Sequence, residues 1–237
     1  MPEKYNNPSP PEKESGFYSD IVRRYETEVN RFVPGYAEEI VPLVTGEVFR
    51  KAHNGAVLDL GSGVGNVDEI IIDQANPQSI DLVEILEPMI EESKKRLEDK
   101  NSTIRFHEMS AEDFEAEPNS FNAVLSNLVI HNIPYEDKVR LISNIHKWLK
   151  DGGIFIWTDL VSFSDTAELE RCFEERKKIA ISMGATEEFA EENFKKEREE
   201  DNMITVEQMT EMLQQAGFQN IEILWTRYNE VVMRATK

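Results

Sequence analysis

The sequence predicts a doubly wound α/β fold with a mostly parallel, seven-stranded sheet, and three observations support that prediction. Short apolar runs rich in β-branched residues alternate with amphipathic segments of helical period along most of the 237 residues. Strands and helices alternating at this spacing pair in parallel through right-handed crossovers. A glycine-rich turn follows the first strand-like run, and residues 220–237 are typical of a closing antiparallel β-hairpin.

The N-terminal region falls into two parts. Residues 1–16 contain four prolines among charged and small residues, which is typical of a disordered tail. The remainder, residues 17–237, is expected to form one domain, because a chain of this length buries a substantial core. It should begin with two cap helices within residues 17–50, broken at Pro34-Gly35 where both residue types interrupt a helix.

The later elements follow from local patterns. Apolar residues recur at helical spacing in residues 135–150, and this helix should stop at Asp151-Gly152-Gly153. Residues 163–201 are expected to be a charged helical lid insertion, and the closing hairpin should turn at Arg227-Tyr228. The parallel strands are expected near Ala56–Leu60, Ile80–Glu84, Thr103–His107, Phe121–Ser126 and Gly153–Asp159.

Composition narrows the class of partner. The formal net charge of −20, from 26 basic and 46 acidic residues, repels phosphate backbones and anionic headgroups. We therefore expect neither nucleic acid nor a membrane among the partners. The single cysteine, Cys172, makes no internal disulfide, and no cluster has zinc-ligand spacing, so no metal is expected. With no signal-peptide pattern and no apolar run of ~20 residues, a cytoplasmic protein is expected.

The stretch VLDLGSGVGN, residues 57–66, predicts a nucleotide site. Gly61, Gly63 and Gly65 lack Cβ atoms, so the backbone there can approach a ligand closely, although such loops also occur as plain tight turns. Ligands of open parallel sheets bind beyond the carboxyl ends of the strands, which is where this loop falls. The dinucleotide fingerprint would require a small residue at Asn66, whereas here the third glycine comes one position earlier.

The pattern Asp59-x-Gly-x-Gly-x-Gly65 instead closely resembles the first motif of the class I S-adenosylmethionine-dependent methyltransferases. Four further landmarks occur in the family's order and extend the resemblance over roughly residues 17–237. An acid, Glu84, ends the second strand, and Met89 follows five residues later. The other landmarks are the segments HEMSAEDF, FNAVLSNLVIHNIP, and LKDGGIFIWTD with the later LQQAGFQNIEI.

The resemblance implies that the chain binds S-adenosylmethionine. The glycine-loop amides would hold the amino-acid end of the cofactor, and Glu84 would accept hydrogen bonds from both ribose hydroxyls, a device that NAD enzymes share. Ser110 stands where the family usually has an aspartate, which leaves the backbone of Ala111 to meet the adenine. The cofactor residues implied by the class I motifs are Asp59, Gly61, Ser62, Gly63, Gly65, Glu84, Ile85, Met89, Ser110, Ala111, Ser126 and Asn127.

One histidine is placed to act as a catalytic base. His131 lies just after the fourth strand, and imidazole titrates near neutrality, so it suits an oxygen or nitrogen acceptor that must lose a proton. The alternative is a structural histidine bonded to a loop carbonyl. The other histidines, His53, His107 and His146, are expected to lie away from the mouth of the site.

The segment RFVPGYAEEI resembles one in carboxy-S-adenosylmethionine synthases and nearby small-molecule methyltransferases. The resemblance implies that Tyr36 reaches the cofactor and that Arg31 balances a carboxylate or pairs with a neighbouring glutamate. The synthases also need a lid arginine to hold the new carboxylate. Here Phe194 occupies that place, with Arg198 close to it in sequence.

Three interpretations follow, and the first is the leading one. The chain is expected to methylate a small-molecule acceptor. The apolar residues of the insertion would favour an organic acceptor, and the negative surface would favour a cationic one. The alternatives are a carboxy-S-adenosylmethionine synthase-like enzyme and a non-catalytic S-adenosylmethionine-binding interaction protein. A homodimer is compatible with all three.

Overall fold

The structure, a computed structural model, describes residues 27–237. The predicted tail, residues 1–16, and the beginning of the first predicted cap helix lie outside the described residues. The described chain forms one seven-stranded sheet, which confirms the predicted fold class. Its strands are β1 (Ala56–Leu60), β2 (Ser79–Glu84), β3 (Thr103–Glu108), β4 (Phe121–Asn127), β5 (Leu149–Leu160), β6 (Gln219–Arg227) and β7 (Glu230–Thr236).

The strand order is β3-β2-β1-β4-β5-β7-β6, and the first five strands are parallel. Only β7 is antiparallel to both of its neighbours, β5 and β6. The strand order reverses between β1 and β4, which are neighbours in the sheet although two strands separate them in sequence. At such a switch point the loops leaving the two strands diverge and open a crevice for a ligand.

Helices cover both faces of the sheet. On one face lie α1 (Val41–Ala52), α2 (Asn66–Ala75) and α3 (Glu87–Arg96), and on the other α4 (Tyr135–Trp148) and α7 (Val206–Ala216). Because strand side chains alternate between the two faces, Val57 packs with the first layer, whereas Leu58 and Leu60 pack with the second. A π-helix, Tyr36–Ile40, leads into α1 after Gly35, at the predicted break in the cap helices.

Three predicted boundaries are wrong. The helix expected to stop at Asp151-Gly152-Gly153, α4, already ends at Trp148. The strand after α4 starts at Leu149 and not at Gly153, because Leu149 already pairs with Phe121 ahead of an irregularity in the ladder. The closing hairpin turns at residues 228–229 and not at Arg227-Tyr228, because Arg227 pairs with Glu230 and leaves a two-residue loop between them.

Residues 163–201, called the helical insertion below, contain α5 (Thr166–Ser182) and α6 (Glu187–Glu200). A buried guanidinium, that of Arg176 in α5, ties the insertion to the rest of the fold. It donates to the Phe32 carbonyl at 2.8 Å and to Glu197 of α6 at 2.5 Å, and it pairs with Glu230 of β7 at 2.9 Å. Burying a charge is tolerated only when it is paired, and here each of the three guanidinium nitrogens has a partner.

Among residues 27–237, no helix combines the length and the apolar composition that crossing a bilayer would require.

Candidate functional site

The predicted site residues meet at the carboxyl ends of β1, β2 and β4. The loop from Gly61 to Gly65 connects β1 to α2, and both glycines have left-handed backbone angles, with φ of 87° and 76°. A Cβ atom added at Gly61 would overlap Cγ2 of Val129, which follows β4, and one added at Gly65 would overlap the Ser93 hydroxyl of α3. The glycines therefore allow close packing of the loop as well as its turn.

The loop amides are engaged within the protein, which differs from the expected role. The amides of Gly61 and Ser62 donate to the Val83 carbonyl at 2.8 and 3.0 Å, and the amide of Gly63 donates to Glu84 Oε2 at 3.0 Å. These three donors are therefore committed to anchoring the loop on β2. The same bonds fix the path of the loop, so its contribution to a ligand site is shape and close backbone approach.

Glu84 ends β2 and faces the loop. Besides the amide of Gly63, its carboxylate accepts the amides of Ile85 and Leu86, both at 2.9 Å. Burial raises the pKa of Glu84, while these amide hydrogen bonds act in the opposite direction. The carboxylate is thus held in one orientation. Oε1 accepts the amides of both Ile85 and Leu86, whereas Oε2 accepts only the amide of Gly63, so Oε2 retains capacity for a ligand hydroxyl.

Asp59 has a partner that the sequence interpretation missed. Asp59 at the end of β1 and Asp68 in the first turn of α2 are 2% and 0% exposed, and their carboxyl groups are within hydrogen-bonding reach of each other. Burial raises the pKa of Asp68 to about 7, and burial together with Asp68 and Glu84 raises the pKa of Asp59 well above its usual range. Two neighbouring carboxyl groups oppose each other's ionisation, which adds to the effect of burial. An acid in the first turn of the helix after a glycine loop was the available signal.

An exposed apolar surface lies beside Glu84. The side chains of Ile85, Leu86 and Met109 are 48%, 37% and 38% exposed at the ends of β2 and β3. Of the other residues expected around an adenine, Met89 is buried in α3 and Ala111 is buried after β3. The Ser110 hydroxyl donates to Asp113 at 2.9 Å, so it caps its own turn. A flat apolar ligand would cover this surface and remove it from water.

Beneath the switch point, β4 and β5 end in buried polar atoms. The Ser126 hydroxyl, the Asn127 carbonyl oxygen Oδ1 and the Thr158 hydroxyl have no hydrogen-bond partner among residues 27–237. Buried polar groups are nearly always paired, so unpaired ones mark a place where a ligand or water completes the structure. Leu128, directly after Asn127, has φ of 58°, an unfavourable backbone angle for a bulky residue. Such strain is concentrated at functional sites.

Tyr36, the tyrosine expected to reach the cofactor, is 4% exposed. It belongs to the apolar cluster that also contains Leu125, and Leu128 packs against that cluster. The structure thus places Tyr36 on the α1 side of the strained turn after β4. Its contact with a cofactor stays a prediction.

His131 lies in a short 3₁₀ turn after β4, and its partner is a carboxylate and not a loop carbonyl. Its Nδ1 atom bonds Asp159 Oδ1, and its backbone amide donates to Asp159 Oδ2 at 2.9 Å. Asp159, at the end of β5, is fully buried and also accepts the indole of Trp157 at 2.9 Å and the amide of Leu160 at 3.0 Å. Four donors hold the Asp159 carboxylate in place. Because that carboxylate accepts a hydrogen bond from the imidazole, the tautomer of His131 with its proton on Nδ1 is favoured, and Nε2 is the ring nitrogen that can accept a proton.

The chain segment after α6 lies next to the imidazole. Asp201 Oδ2 is 3.9 Å from His131 Nε2, and the amide of Asn202 donates to the His131 carbonyl at 2.7 Å. The ammonium of Lys138, which is buried at the start of α4, donates to the Asn202 carbonyl at 2.7 Å. Burial lowers the pKa of Lys138 to about 8 and raises the pKa of Asp201 to about 6. The segment directly after the helical insertion is therefore hydrogen-bonded to the turn that carries the histidine.

The Asp159→Asn substitution is expected to lower the pKa of His131. Burial alone would lower this pKa, but the carboxylates of Asp159, Asp201 and Glu197 reverse the effect, so that it is raised in the native protein. Removing the strongest of these charges leaves the desolvation effect dominant. The measurement is an NMR titration of the four histidines, with His146 as the internal control because Asp159 has no part in its shift. An unchanged His131 pKa would contradict the electrostatic role given to Asp159.

The other arginines and histidines considered in the sequence analysis lie away from the group of site residues at the ends of β1, β2 and β4. Arg31 pairs with Glu28 at 2.9 Å, the glutamate alternative raised above. Arg198 pairs with Glu170 at 3.2 Å and stacks on Phe173, which directs it to α5. His107 pairs with Asp81 on the sheet, His146 stacks on Phe218, and His53 stacks on Phe49. Phe194 is fully buried and Cys172 is partly exposed.

Comparison with known proteins gives a consistent assignment. Residues 57–153 match the model of a family described as a methyltransferase domain. The chain is 24% identical, over 93% of its length and 92% of the relative, to the carboxy-S-adenosyl-L-methionine synthase of Actinobacillus pleuropneumoniae serotype 7. It is 26% identical over the same shares to that of Geobacter sp. strain M21.

Among solved structures, the chain is similar to phosphoethanolamine N-methyltransferase 2 of Haemonchus contortus in complex with S-adenosyl-L-methionine. The TM-score is 0.62 at 16% identity, covering 93% of this chain and 60% of that chain. At this identity the likeness supports the fold.

Proposed function

Because the chain belongs to the class I S-adenosylmethionine-dependent methyltransferase family and uses S-adenosylmethionine, we propose that it methylates an oxygen or nitrogen atom of a small molecule. The observation that carries this proposal is the His131–Asp159 pair, which stands at the ends of β4 and β5 beside the predicted cofactor residues. Such a pair supplies a general base, which an acceptor hydroxyl or amine requires and a preformed carbanion or thiolate does not.

The residues present fit S-adenosylmethionine. Glu84 offers Oε2 to a ribose hydroxyl, and the exposed side chains of Ile85, Leu86 and Met109 offer an apolar surface to adenine. The unpartnered atoms of Ser126 and Asn127 lie at the switch point, where the reacting end belongs. When bound, S-adenosylmethionine supplies an electrophilic methyl group on a positively charged sulfur.

The protein's own part in the reaction is alignment and proton removal. His131 accepts the acceptor's proton at Nε2 while Asp159 holds Nδ1 and stabilises the imidazolium that forms. Asn132 Nδ2 lies 3.0 Å from Nε2 and donates to its lone pair, so the acceptor's O–H or N–H must displace this amide before its proton can pass to His131. In well-oriented systems, alignment of donor and acceptor lowers the activation free energy by about 7–11 kcal/mol. Proton removal by the base therefore contributes a smaller part of the rate enhancement.

A small acceptor fits the access to this site. The His131 side chain is only 11% exposed, and Asp201 beside it is 12% exposed. The segment after α6 therefore covers the imidazole, and a macromolecular acceptor would have to displace it. We propose that the helical insertion acts as the lid of the acceptor site and that the protein is cytoplasmic.

The second candidate is a carboxy-S-adenosylmethionine synthase-like activity. The length of chain shared with such synthases, more than nine-tenths of both partners, favours it. That chemistry needs a free cation near the reacting end to hold a carboxylate. Arg31, Arg176 and Arg198 are each committed to protein carboxylates, which favours the methyltransferase.

The test is to purify the chain without added ligand, denature it and identify what is released by mass spectrometry. S-adenosylmethionine or S-adenosylhomocysteine is expected. A species heavier by one carboxyl group would replace the proposal with the synthase activity. A protein that releases nothing and also ignores added S-adenosylmethionine would overturn both and leave a non-catalytic interaction protein.

A further inference from the structure

The imidazole of the proposed base faces a second acceptor of hydrogen bonds. His131 Nε2 lies 3.9 Å from Asp201 Oδ2, which is too far for a direct hydrogen bond between the two groups. Because Asp159 holds the proton of the neutral imidazole on Nδ1, Nε2 presents a lone pair, and the Asp201 carboxylate presents only lone pairs. Two acceptors therefore lie side by side, and a group placed between them must supply a hydrogen to each.

Asp201 has no donor of its own. Its carboxylate accepts no hydrogen bond and forms no ion pair with a Lys or Arg among residues 27–237, although only 12% of the side chain is exposed. The buried ammonium of Lys138 donates instead to the carbonyl oxygens of Ile133 and Asn202. A largely buried carboxylate without a donor is costly, so a ligand that donates to Asp201 would stabilise it.

A nitrogen with two hydrogens already lies against the imidazole. The amide nitrogen of Asn132, Nδ2, is 3.0 Å from His131 Nε2 and 3.3 Å from the Val129 carbonyl oxygen. It therefore donates one hydrogen to each of two acceptors. An NH2 group of a ligand that displaced this amide would donate to Nε2 in the same way and direct its second hydrogen to Asp201.

The distance between the two acceptors favours a nitrogen over an oxygen as the group between them. A donor atom about 2.9 Å from each of two atoms that are 3.9 Å apart views them at about 85°, an angle that two hydrogens on one nitrogen serve with slightly bent hydrogen bonds. A primary amine has two hydrogens for the two acceptors and keeps its lone pair free. A hydroxyl group has a single hydrogen, so its oxygen would turn a lone pair towards Nε2 or towards Asp201.

The charge around the imidazole suits the same class of acceptor. The carboxylates of Asp159, Asp201 and Glu197 all act on His131. An amine that arrives as an ammonium ion is attracted by these charges, and it loses its third proton to water before it reacts. An acceptor that carries a carboxylate at this position is repelled.

We propose that the methyl acceptor is a primary amine and that Asp201 is the residue that selects it. The free amine donates one N–H to His131 Nε2 and the other to Asp201 Oδ2, which leaves its lone pair to form the new N–C bond. The C–S bond of S-adenosylmethionine breaks with its electron pair left on sulfur. One N–H bond then breaks with its pair left on nitrogen, and the proton passes to Nε2 and from there to water. This inference rests on the proposed function, because it needs His131 as the base and S-adenosylmethionine as the methyl donor.

The test is an NMR titration of the histidine side chains in protein saturated with S-adenosylhomocysteine, at a pH where the His131 imidazole is neutral. The probes are methylammonium, trimethylammonium and methanol. Methylammonium has three N–H donors and can bridge His131 Nε2 and Asp201. Trimethylammonium carries the same charge with a single N–H, and methanol has a single O–H and no charge.

The expected result separates bridging from simple attraction between charges. We expect methylammonium to shift the His131 resonances at about a tenfold lower concentration than trimethylammonium, because only the former donates to both acceptors. Methanol should give no saturable shift. His146, which stacks on Phe218 away from the site, is the internal reference and should not shift with any probe.

The matched variants are Asp201→Ala and Glu200→Ala. The first removes the second acceptor, so the preference for methylammonium over trimethylammonium should disappear. The second removes the same charge from the preceding residue, whose side chain is 64% exposed, and should leave the preference unchanged. The comparison of the probes on the unaltered chain stands even if Asp201→Ala fails to fold.

Equal affinity for methylammonium and trimethylammonium, the absence of a saturable shift from either, or a preference that survives in folded Asp201→Ala protein would overturn the inference while leaving the proposed function intact. Failure of S-adenosylmethionine and S-adenosylhomocysteine to bind at all, measured by calorimetry before the titration, would instead overturn the proposed function.

Discussion

Replacing Glu84 with alanine is expected to weaken S-adenosylhomocysteine binding by about 10- to 100-fold. A hydrogen bond to a charged group contributes roughly 1.5–3 kcal/mol, and Oε2 of the carboxylate has an acceptor position open to a ribose hydroxyl. The substitution also leaves the amides of Gly63, Ile85 and Leu86 without their acceptor, which loosens the glycine loop. Calorimetry or equilibrium dialysis of the purified variant gives the affinity directly.

The matched control is Glu108→Ala. Glu108 is the register partner of Glu84 on the neighbouring strand and is exposed, so the variant removes the same charge from the same edge of the sheet. It should change the affinity by less than about threefold, because an exposed charge is well screened. If both variants weakened binding equally, Glu84 would act through general electrostatics and not as a ribose ligand.

Replacing Gly61 with alanine is expected to destabilise the fold by about 2–5 kcal/mol and to abolish ligand binding. Two costs add. A left-handed backbone angle costs a non-glycine residue roughly 1–2 kcal/mol, and overpacking against Val129 costs typically about 1–3 kcal/mol. Chemical denaturation monitored by circular dichroism measures the change in the free energy of unfolding.

A second glycine separates these costs. Gly152 has φ of 73°, but a Cβ added there would meet no atom within 4 Å, so Gly152→Ala carries the backbone cost alone. The Gly61→Ala, Val129→Ala double variant should recover part of the lost stability, since the overlapping Cγ2 is removed while the Val129 Cβ stays 3.1 Å away. Equal destabilisation at Gly61 and Gly152 would show that packing against Val129 contributes nothing.

The fold class was predictable because its signals are local. Alternating strands and helices fix a parallel, doubly wound sheet, and a glycine loop after the first strand fixes the face on which ligands bind. The boundaries that were wrong depend on partners remote in sequence. The early start of β5 needs Phe121 opposite Leu149, and the position of the hairpin turn needs the Arg227–Glu230 pair.

Only those site residues that belong to a recognisable sequence motif were predictable. Glu84 and His131 were singled out because they follow strands, but their partners come from other elements. Asp159 lies 28 residues beyond His131, and Asp68 belongs to a helix whose inward face only the packed structure reveals. The loop amides were expected to face the ligand, yet they bond Val83 and Glu84, because the register of β1 against β2 brings those acceptors beneath the loop.

The buried guanidinium of Arg176 has a consequence for engineering this protein. Its partners, the Phe32 carbonyl, Glu197 and Glu230, come from three stretches of chain that are far apart in sequence. A chimera that exchanges residues 163–201 for the equivalent segment of a relative therefore retains Glu230 on β7 without its cation. We expect such grafts to express as folded protein only when the donor segment brings an arginine at the position of Arg176, or when Glu230 is replaced by glutamine at the same time. Under the proposed lid role of the helical insertion, we expect acceptor specificity to transfer between relatives only when these coupled positions are exchanged together.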